Sequence, residues 1–453
     1  MEQLEEFSRE ELIQVIIELR RANERLQAEI EQLKRRGGAA PFSKGKRKSD
    51  PKAPGRKPGQ GYFRFRAAPE EAAATEAIVV PVTEPCCPDC GGKLGKVCRE
   101  MVSITDIPVQ PQPEIEHYAV EVRQCRRCGG KVRGRHPGIT VGQHGATAHR
   151  LGPRVKALAH ILHYVHGVPV RRTPAILAEL TGVRLTQSAI TQDAMKQTGG
   201  AVGARYDALR ASVREQSVVH TDDTGWRVGG ETAFLMAFVN PTLSVYQVRS
   251  RHRNEEVREL IPASFGGVLV CDRGRSYDAV ELEGVAQQKC VAHLIRNAAK
   301  IVEEKTGRAC HFGRQLIDML RQSLSLSARR TAMKPKDYCR QALALDDDLA
   351  RLLRDRILRD PDNQRLLNGV GAQHDRGRLL RFLAEDNVEP TNNRAERDLR
   401  PAVIARKLSH CSKNDRGARA FEAFTSVLHT IRKMNPSDKC LLAGLLHCST
   451  PSG

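Results

Sequence analysis

Two apolar runs in this 453-residue chain end on an acid. Ser217-Val-Val-His-Thr leads into Asp222, and Gly267-Val-Leu-Val-Cys leads into Asp272. Each run reads as a short buried strand that delivers a carboxylate at its tip. Two carboxylates held side by side repel one another unless cations lie between them, so this pattern is what a metal-dependent phosphoryl-transfer site requires. A third acid is expected downstream on a helix. The segment Pro390-Thr-Asn-Asn-Arg-Ala-Glu396-Arg-Asp-Leu-Arg-Pro401 offers one, since Thr391 or Asn392 can cap a helix and set Glu396 near its first turn. Spacing alone leaves Glu396 open to a second reading as half of a capping pair with Asn393, and Glu389 and Asp398 compete with it.

A second chemistry is written in cysteine. Cys87-x-x-Cys90 and Cys125-x-x-Cys128 are each followed by two glycines, the form of a zinc knuckle. Four thiolates can close a tetrahedral structural Zn²⁺ site and leave no open position for catalysis. Cys86 is a rival ligand to Cys87, and Cys98 is a spare. Stretches at 102–107 and 117–123 read as strands that bring the knuckles together. An odd total of thirteen cysteines, behind an acidic, amphipathic start that is no secretory signal, argues against a disulfide framework.

The elements that position these groups follow from periodicity. Leu12, Leu19, Leu26 and Leu33 recur every seven residues, with Ile16, Asn23 and Ile30 four after the first three. This heptad seam over residues 9–36 predicts a rod of roughly 40 Å and a parallel homodimer whose register Asn23 fixes; the alternative is one amphipathic helix packed on the body. Residues 37–66 lose the period and carry Lys44, Lys46, Arg47, Lys48, Lys52, Arg56, Lys57, Arg64 and Arg66 against Asp50 alone. Such a segment reads as a flexible arm that grips phosphates, with Pro54–Gly59 suited to a minor groove, or as a solvated linker. The whole chain carries a net charge of +20, which favours a polyanionic partner. No stretch is long and apolar enough to span a bilayer, and a cytoplasmic protein is expected.

Residues 151–198 read as helical. His160, His163 and His166 recur at a spacing of three without a neighbouring carboxylate in sequence, so packed or surface histidines are expected rather than a metal site. Thr173–Leu180, Gly182 and Thr186–Gln197 read as helix, turn, helix, with Gln187, Ser188, Thr191 and Gln192 offered to base edges. From residue 215 the texture turns to strands: a hairpin at Trp226–Glu231, strands at Ala233–Val239 and Ser244–Arg249, a helix near 253–260, a helix from Ser276, and a fifth strand at Lys289–Ala292. Residues 293–385 read as helical and basic.

With these motifs on the page, the chain resembles the bacterial transposases named after insertion sequence 66, of the DDE superfamily. Asp222-Asp223-Thr224, Cys271-Asp272-Arg-Gly-Arg-Ser-Tyr277, Cys290-Val-Ala-His293 and Asn392-Asn393-Arg-Ala-Glu396-Arg397-Asp-Leu-Arg400-Pro401 carry the likeness. Departures are Asp223 where glutamate is usual and Lys407-Leu-Ser where many members read Lys-Asn-Trp. The resemblance implies a multidomain α/β protein: a ribonuclease-H-like mixed sheet with an all-helical insertion, preceded by coiled coil, zinc ribbon and helix-turn-helix-like region. The expected divisions are 1–36, 37–80, 81–135, 136–205, 206–435 with its insertion at about 297–385, and a tail at 436–453. It further implies that Asp222, Asp272 and Glu396 hold two Mg²⁺ (or Mn²⁺) ions, and that Arg397, Arg400 and Arg406 lie near the scissile phosphate. DNA (terminal inverted repeats and target) is the implied partner, with small accessory proteins. The implied location is the bacterial cytoplasm, in association with the nucleoid. Two other functions share these features: a catalytically dead DNA-binding repressor, and a nuclease or integrase of similar fold.

Overall fold

The computed structural model describes residues 23, 78–83, 85–96, 112–136, 151–354, 357–409, 411–434 and 444–445. The expected coiled coil (Asn23 apart), the basic arm with Lys46, Arg47, Lys48, Arg56 and Lys57, the strand at 102–107 and Cys98 lie outside the described residues. The chain divides into two compact units, residues 1–109 and 110–453.

In the first unit, Cys87 N–H donates to Gly92 O and Gly91 N–H to Cys87 O, both at 2.9 Å. In the second, β1 (Val122–Gln124) and β2 (Lys131–Arg133) form an antiparallel hairpin. Its turn repeats the first pattern, with Cys125 N–H on Gly130 O at 2.8 Å and Gly129 N–H on Cys125 O at 2.9 Å. The strand expected over 117–123 is thus displaced. Pairing begins at Val122, because Gln124 and Lys131 must flank the knuckle they close.

Four helices follow: α1 (Pro153–Tyr164), α2 (Thr173–Thr181), α3 (Gln187–Thr198) and α4 (Ala201–Ser212). Gly182 ends α2 with a φ of 70°, a conformation glycine adopts without penalty, and the Thr186 hydroxyl caps α3 by accepting from Ala189 N–H. His160 is buried, and its Nε2 lies 3.0 Å from Asp193 on α3. The packed-histidine expectation holds for it, although a carboxylate does accompany it in space.

The main sheet contains β3 (Val218–Val228), β4 (Glu231–Val239), β5 (Ser244–Arg249), β6 (Val268–Cys271) and β7 (Ala286–Lys289), in the order β5-β4-β3-β6-β7. β3 is antiparallel to β4 and parallel to β6, an arrangement consistent with a ribonuclease-H-like core. Gly229 and Gly230, at φ 61° and 93°, make the tight turn between β3 and β4 that the sequence announces.

Both faces of the sheet are buried, and the two-residue strand period sorts side chains between them. Val219, Met236, Phe238 and Leu269 join Tyr206, Leu209 and Phe424 on one face. Val218, Val268 and Val270 meet the insertion helices on the other, where Leu235 and Ala237 meet Ala395 and Leu399. The first apolar core is therefore shared between the sheet and helices α1, α3 and α4.

Between β5 and β6 lies a short helix, α5 (Asn254–Arg258). The insertion comprises α6 (Val291–Glu304), α7 (His311–Ala328), α8 (Pro335–Leu353), α9 (Pro361–Asp375) and α10 (Arg381–Ala384). The chain returns through α11 (Asn393–Ser409) and α12 (Asp415–Met434). Helix α12 runs along the sheet edge. Glu422, Ser426 and Thr430, four apart on one helical face, accept from the N–H groups of Val248, Tyr246 and Ser244 at 2.6, 2.9 and 3.0 Å. An edge that would otherwise pair with another chain is closed by side chains.

Three local expectations are corrected. Asp222 is not at a strand tip, because β4 continues to pair with β3 from His220 to Val228, well beyond the end of β6. No α-helix starts at Ser276. Two 3₁₀ turns stand there, Arg275–Tyr277 and Val280–Leu282, because the Gln287 amide takes the carbonyls of Tyr277 and Leu282 at 2.8 and 3.4 Å. The last strand ends at Lys289 rather than beginning there. Val291, Leu294 and Ala298 recur with helical spacing and bury one face of α6.

Candidate active site

The pleat of β3 decides which of two adjacent acids meets Glu396. Even-numbered Val218 and Asp222 share the face that the insertion and α11 cover, and Asp223 turns to the other, where His252 Nδ1 lies 3.2 Å away. β6 pairs His220 with Val270 and stops at Cys271. Two residues beyond that pair, Asp222 and Asp272 lie close enough for the charge of one to act on the other. Asp272 Oδ1 accepts from Gly274 N–H at 2.8 Å. A Cβ on Gly274 would come within 2.9 Å of that oxygen and 3.3 Å of the Tyr277 ring, so this tight turn needs glycine.

Helix α11 is fastened to both acid-bearing strands by one run of hydrogen bonds. Cys290 N–H donates to Cys271 O at 2.8 Å, Asn392 N–H to Cys290 Sγ at 3.2 Å, and the Asn392 side-chain amide to Thr221 O at 2.6 Å. Thr221 and Cys271 are the residues immediately before the two aspartates. Glu396 lies in the first turn of α11, its Oε1 3.5 Å from Arg296 Nη2 and 3.7 Å from His293 Nε2.

The Asp222 carboxyl is pushed up to about 7, by burial above all, against the Asp223 N–H and with the charges of Asp223, Asp272 and Glu396 adding to the rise. Burial lowers His293, helped by Arg296 and opposed by Glu396 and Asp272. The two aspartates and Glu396 therefore sense one another. Among the described residues, however, no three His, Cys, Asp or Glu side chains converge as a chelating group. Asp272 is turned to its own loop, and Glu396 to Arg296 and His293. The donor set, three carboxylates on rigid elements, fits a hard divalent cation.

The rival acids are occupied elsewhere. Glu389 pairs with Arg394, the Nε–Oε1 distance being 3.1 Å. Asp398 accepts from Ser244 Oγ at 2.7 Å and holds Lys433 at 2.5 Å, which anchors α11 to β5 and α12. Arg406 donates to Thr224 Oγ1 at 3.1 Å and to Gly225 O, bracing α11 against β3. Arg397 and Arg400 are exposed on α11, as are Gln187, Ser188 and Gln192 on α3, whereas Thr191 is half-buried. In each knuckle, backbone N–H groups lower the first thiol: those of Asp89 and Cys90 on Cys87, those of Cys128 and Arg127 on Cys125.

Sequence reasoning missed a buried ion cluster beside Asp272. Lys289 is fully buried with its Nζ 2.8 Å from Asp278 Oδ1, and Arg378 reaches the same oxygen at 3.3 Å. The Gln373 amide of α9 donates to Asp278 Oδ2 at 3.1 Å. Asp278 thus ties the loop after Asp272 to β7 and to the insertion. Removing it as Asp278→Ala leaves two buried cations uncompensated and is expected to lower unfolding free energy by about 3 kcal/mol in urea titration. A loss well under about 1 kcal/mol would mean the cluster is screened by water.

A family model described as "Transposase IS66 family" matches residues 149–420, a span that runs from just before α1 into α12 and includes the sheet, the insertion and Glu396. No curated protein matches the chain.

Proposed function

Because the chain belongs to the IS66 family of transposases, we propose that it cuts and rejoins DNA at the ends of its own element, with Asp222, Asp272 and Glu396 as the metal-holding catalytic acids. The observation that carries this reading is the Cys271–Cys290–Asn392–Thr221 run of hydrogen bonds, which sets the helix of Glu396 against the strands of both aspartates. Mg²⁺ or Mn²⁺ bound by the three carboxylates would supply electrostatic activation for in-line displacement at phosphorus. The protein's own part is to hold the acids in place and keep Asp222 in a partly dry setting. His293 Nε2 and Arg296 Nη2 lie 3.7 and 3.5 Å from Glu396 Oε1 and orient its carboxylate at the start of α11.

Exposed Arg397 and Arg400 suit the phosphates that flank the reacting one, and Gln187 and Gln192 on α3 suit base edges. Lys46, Arg47, Lys48, Arg56 and Lys57 extend the grip along the backbone. Residues 9–36 pair two copies, and each knuckle gives its thiolates to structural Zn²⁺. Among the described residues no helix is long and apolar enough to cross a membrane.

Purified protein with Mg²⁺ should nick a duplex carrying the element's own ends at the element boundary. Intact DNA under those conditions would sink the proposal. Binding to that duplex should weaken by ~10³–10⁵-fold between about 50 and 200 mM salt, the response of roughly six to ten phosphate contacts. A flat salt titration would show that the net charge of +20 is not used on DNA.

A further inference from the structure

His252 touches the neighbours of both catalytic aspartates. It lies in the loop from β5 to α5, on the side of the sheet to which Asp223 turns. Its Nδ1 is 3.2 Å from Asp223 Oδ1, and its Nε2 is 3.3 Å from the Ser276 hydroxyl. Asp223 follows Asp222 on β3, and Ser276 stands in the turn that follows Asp272. The ring is half enclosed: Phe234 and Tyr277 lie beside it with centroids at 5.9 and 5.8 Å, and Ser276 is buried. A carboxylate only accepts, so Nδ1 carries the hydrogen, and in the neutral ring Nε2 is left to accept from the Ser276 hydroxyl. Asn254, two residues on, donates its amide to Ser276 O at 3.2 Å. The hydroxyl and the carbonyl of one serine are thus both held from a single short stretch of chain.

That hold comes where the ladder has stopped. β3 and β6 pair from Val218–Val268 to His220–Val270, so Asp222 and Asp272 both lie past the last rung. The turn after Asp272 is closed by its own bonds, Gly274 N–H to Asp272 Oδ1 and Tyr277 N–H to Gly274 O, which travel with it. Asp278 anchors the far end of the turn to β7 and not to β3. On the α11 side, Asn392 holds Thr221. On the other side, the Thr221 and Tyr277 hydroxyls meet at 3.5 Å, a long hydrogen bond. The contacts from Asp223 through His252 to Ser276 are shorter.

We propose that His252 is a positioning residue for the cutting reaction. By bridging Asp223 to Ser276 it fixes the spacing of Asp222 and Asp272, and with it the affinity of that pair for a divalent cation. This role rests on the assignment of Asp222, Asp272 and Glu396 as the metal-holding acids. A small displacement is enough to matter, since a shift of about 1 Å at reacting groups costs roughly 10²-fold in rate.

The test compares full-length protein with His252→Asn, whose amide replaces Nδ1 but not Nε2, with Ser276→Ala, and with the double variant. Mn²⁺ titration followed by electron paramagnetic resonance, without DNA, reads the acid site directly, and Asp222→Asn shows what its loss looks like. Each single variant should raise the Mn²⁺ midpoint by about threefold or more and slow single-turnover nicking by about tenfold, with DNA affinity within about threefold. If the two residues act as one bridge, the double variant should nick within about twofold of the slower single variant. Rate losses that multiply in the double variant overturn the bridge. An unchanged Mn²⁺ midpoint and nicking rate in Ser276→Ala overturn it as well, and that variant, which loses one hydroxyl, decides the matter even where His252→Asn does not fold. A lowered urea midpoint with both readouts unchanged makes His252 a packing residue. Each of these results leaves the functional assignment standing while wild-type protein nicks. Wild-type protein that neither nicks nor binds Mn²⁺ through Asp222 removes both.

Discussion

Asp222→Asn, Asp272→Asn and Glu396→Gln should each reduce nicking of element ends by ~10³-fold or more, with DNA affinity held within about threefold, because each removes a charge needed only as the transition state forms. Asp222→Asn should do something else as well. Burial and three neighbouring carboxylates raise the folded value of Asp222 to about 7, against about 3.9 for an unperturbed aspartate. The fold therefore favours the protonated acid. Stability from this group is fully present below about pH 4 and is lost as pH rises through about 7. Asparagine carries no charge to bury, so in EDTA the variant should exceed wild type at pH 8 by on the order of 1–3 kcal/mol, and lose that advantage at pH 4. Urea titrations at the two pH values measure the difference. A variant that is inactive yet more stable has lost chemistry and not structure. One that is less stable at pH 8 would show that Asp222 serves as a structural partner within the fold.

Much of the frame around these acids was legible from residue order, and the failures have identifiable causes. Apolar runs gave β4, β5 and β6 nearly to the residue, and Gly229-Gly230 gave the hairpin, since both signals are local. The length of β3 was not legible. Asp222-Asp223-Thr224-Gly225 has the composition of a loop, and only its ladder with β4 keeps it extended. Val291-Ala292 looked like strand because it follows a strand, whereas the spacing to Leu294 and Ala298 makes it helix. Glu396 stood among Glu389 and Asp398 with nothing local to separate them. What separates them is where their partners lie: Arg394 for Glu389, Ser244 and Lys433 for Asp398. The same holds for His160, whose carboxylate arrives from Asp193, thirty-three residues away. Long-range polar contacts leave no periodic trace, so the bond from Asn392 to Thr221 and the Asp278 cluster could be noticed only in three dimensions.

Asn392 is the residue on which the geometry of the acids most depends without being one of them. It is fully buried, and each of its groups but one is engaged: its N–H on Cys290 Sγ, its amide on Thr221 O, its carbonyl under Glu396 N–H at 3.2 Å. The bond to Thr221 falls just past the last residue of β3 that pairs with β6, where the strand's carbonyl would otherwise face no neighbour. Asn392→Ala leaves that buried oxygen unpaired, which costs about 1–3 kcal/mol. It also frees the first turn of α11 to shift relative to Asp222 and Asp272. A misplacement of about 1 Å at reacting groups costs roughly 10²-fold in rate, so nicking should fall by about that factor while DNA affinity is kept. Cys290→Ala supplies the control. It removes the weaker sulfur acceptor but keeps the bond to Thr221, and should slow nicking by less than about tenfold. Rate constants under saturating protein, compared with urea midpoints for the two variants, separate positioning from stability. If Asn392→Ala lowers the midpoint and leaves the rate constant unchanged, the asparagine only packs, and the register of Glu396 is set instead by the far anchors of its helix, Asp398 and Arg406.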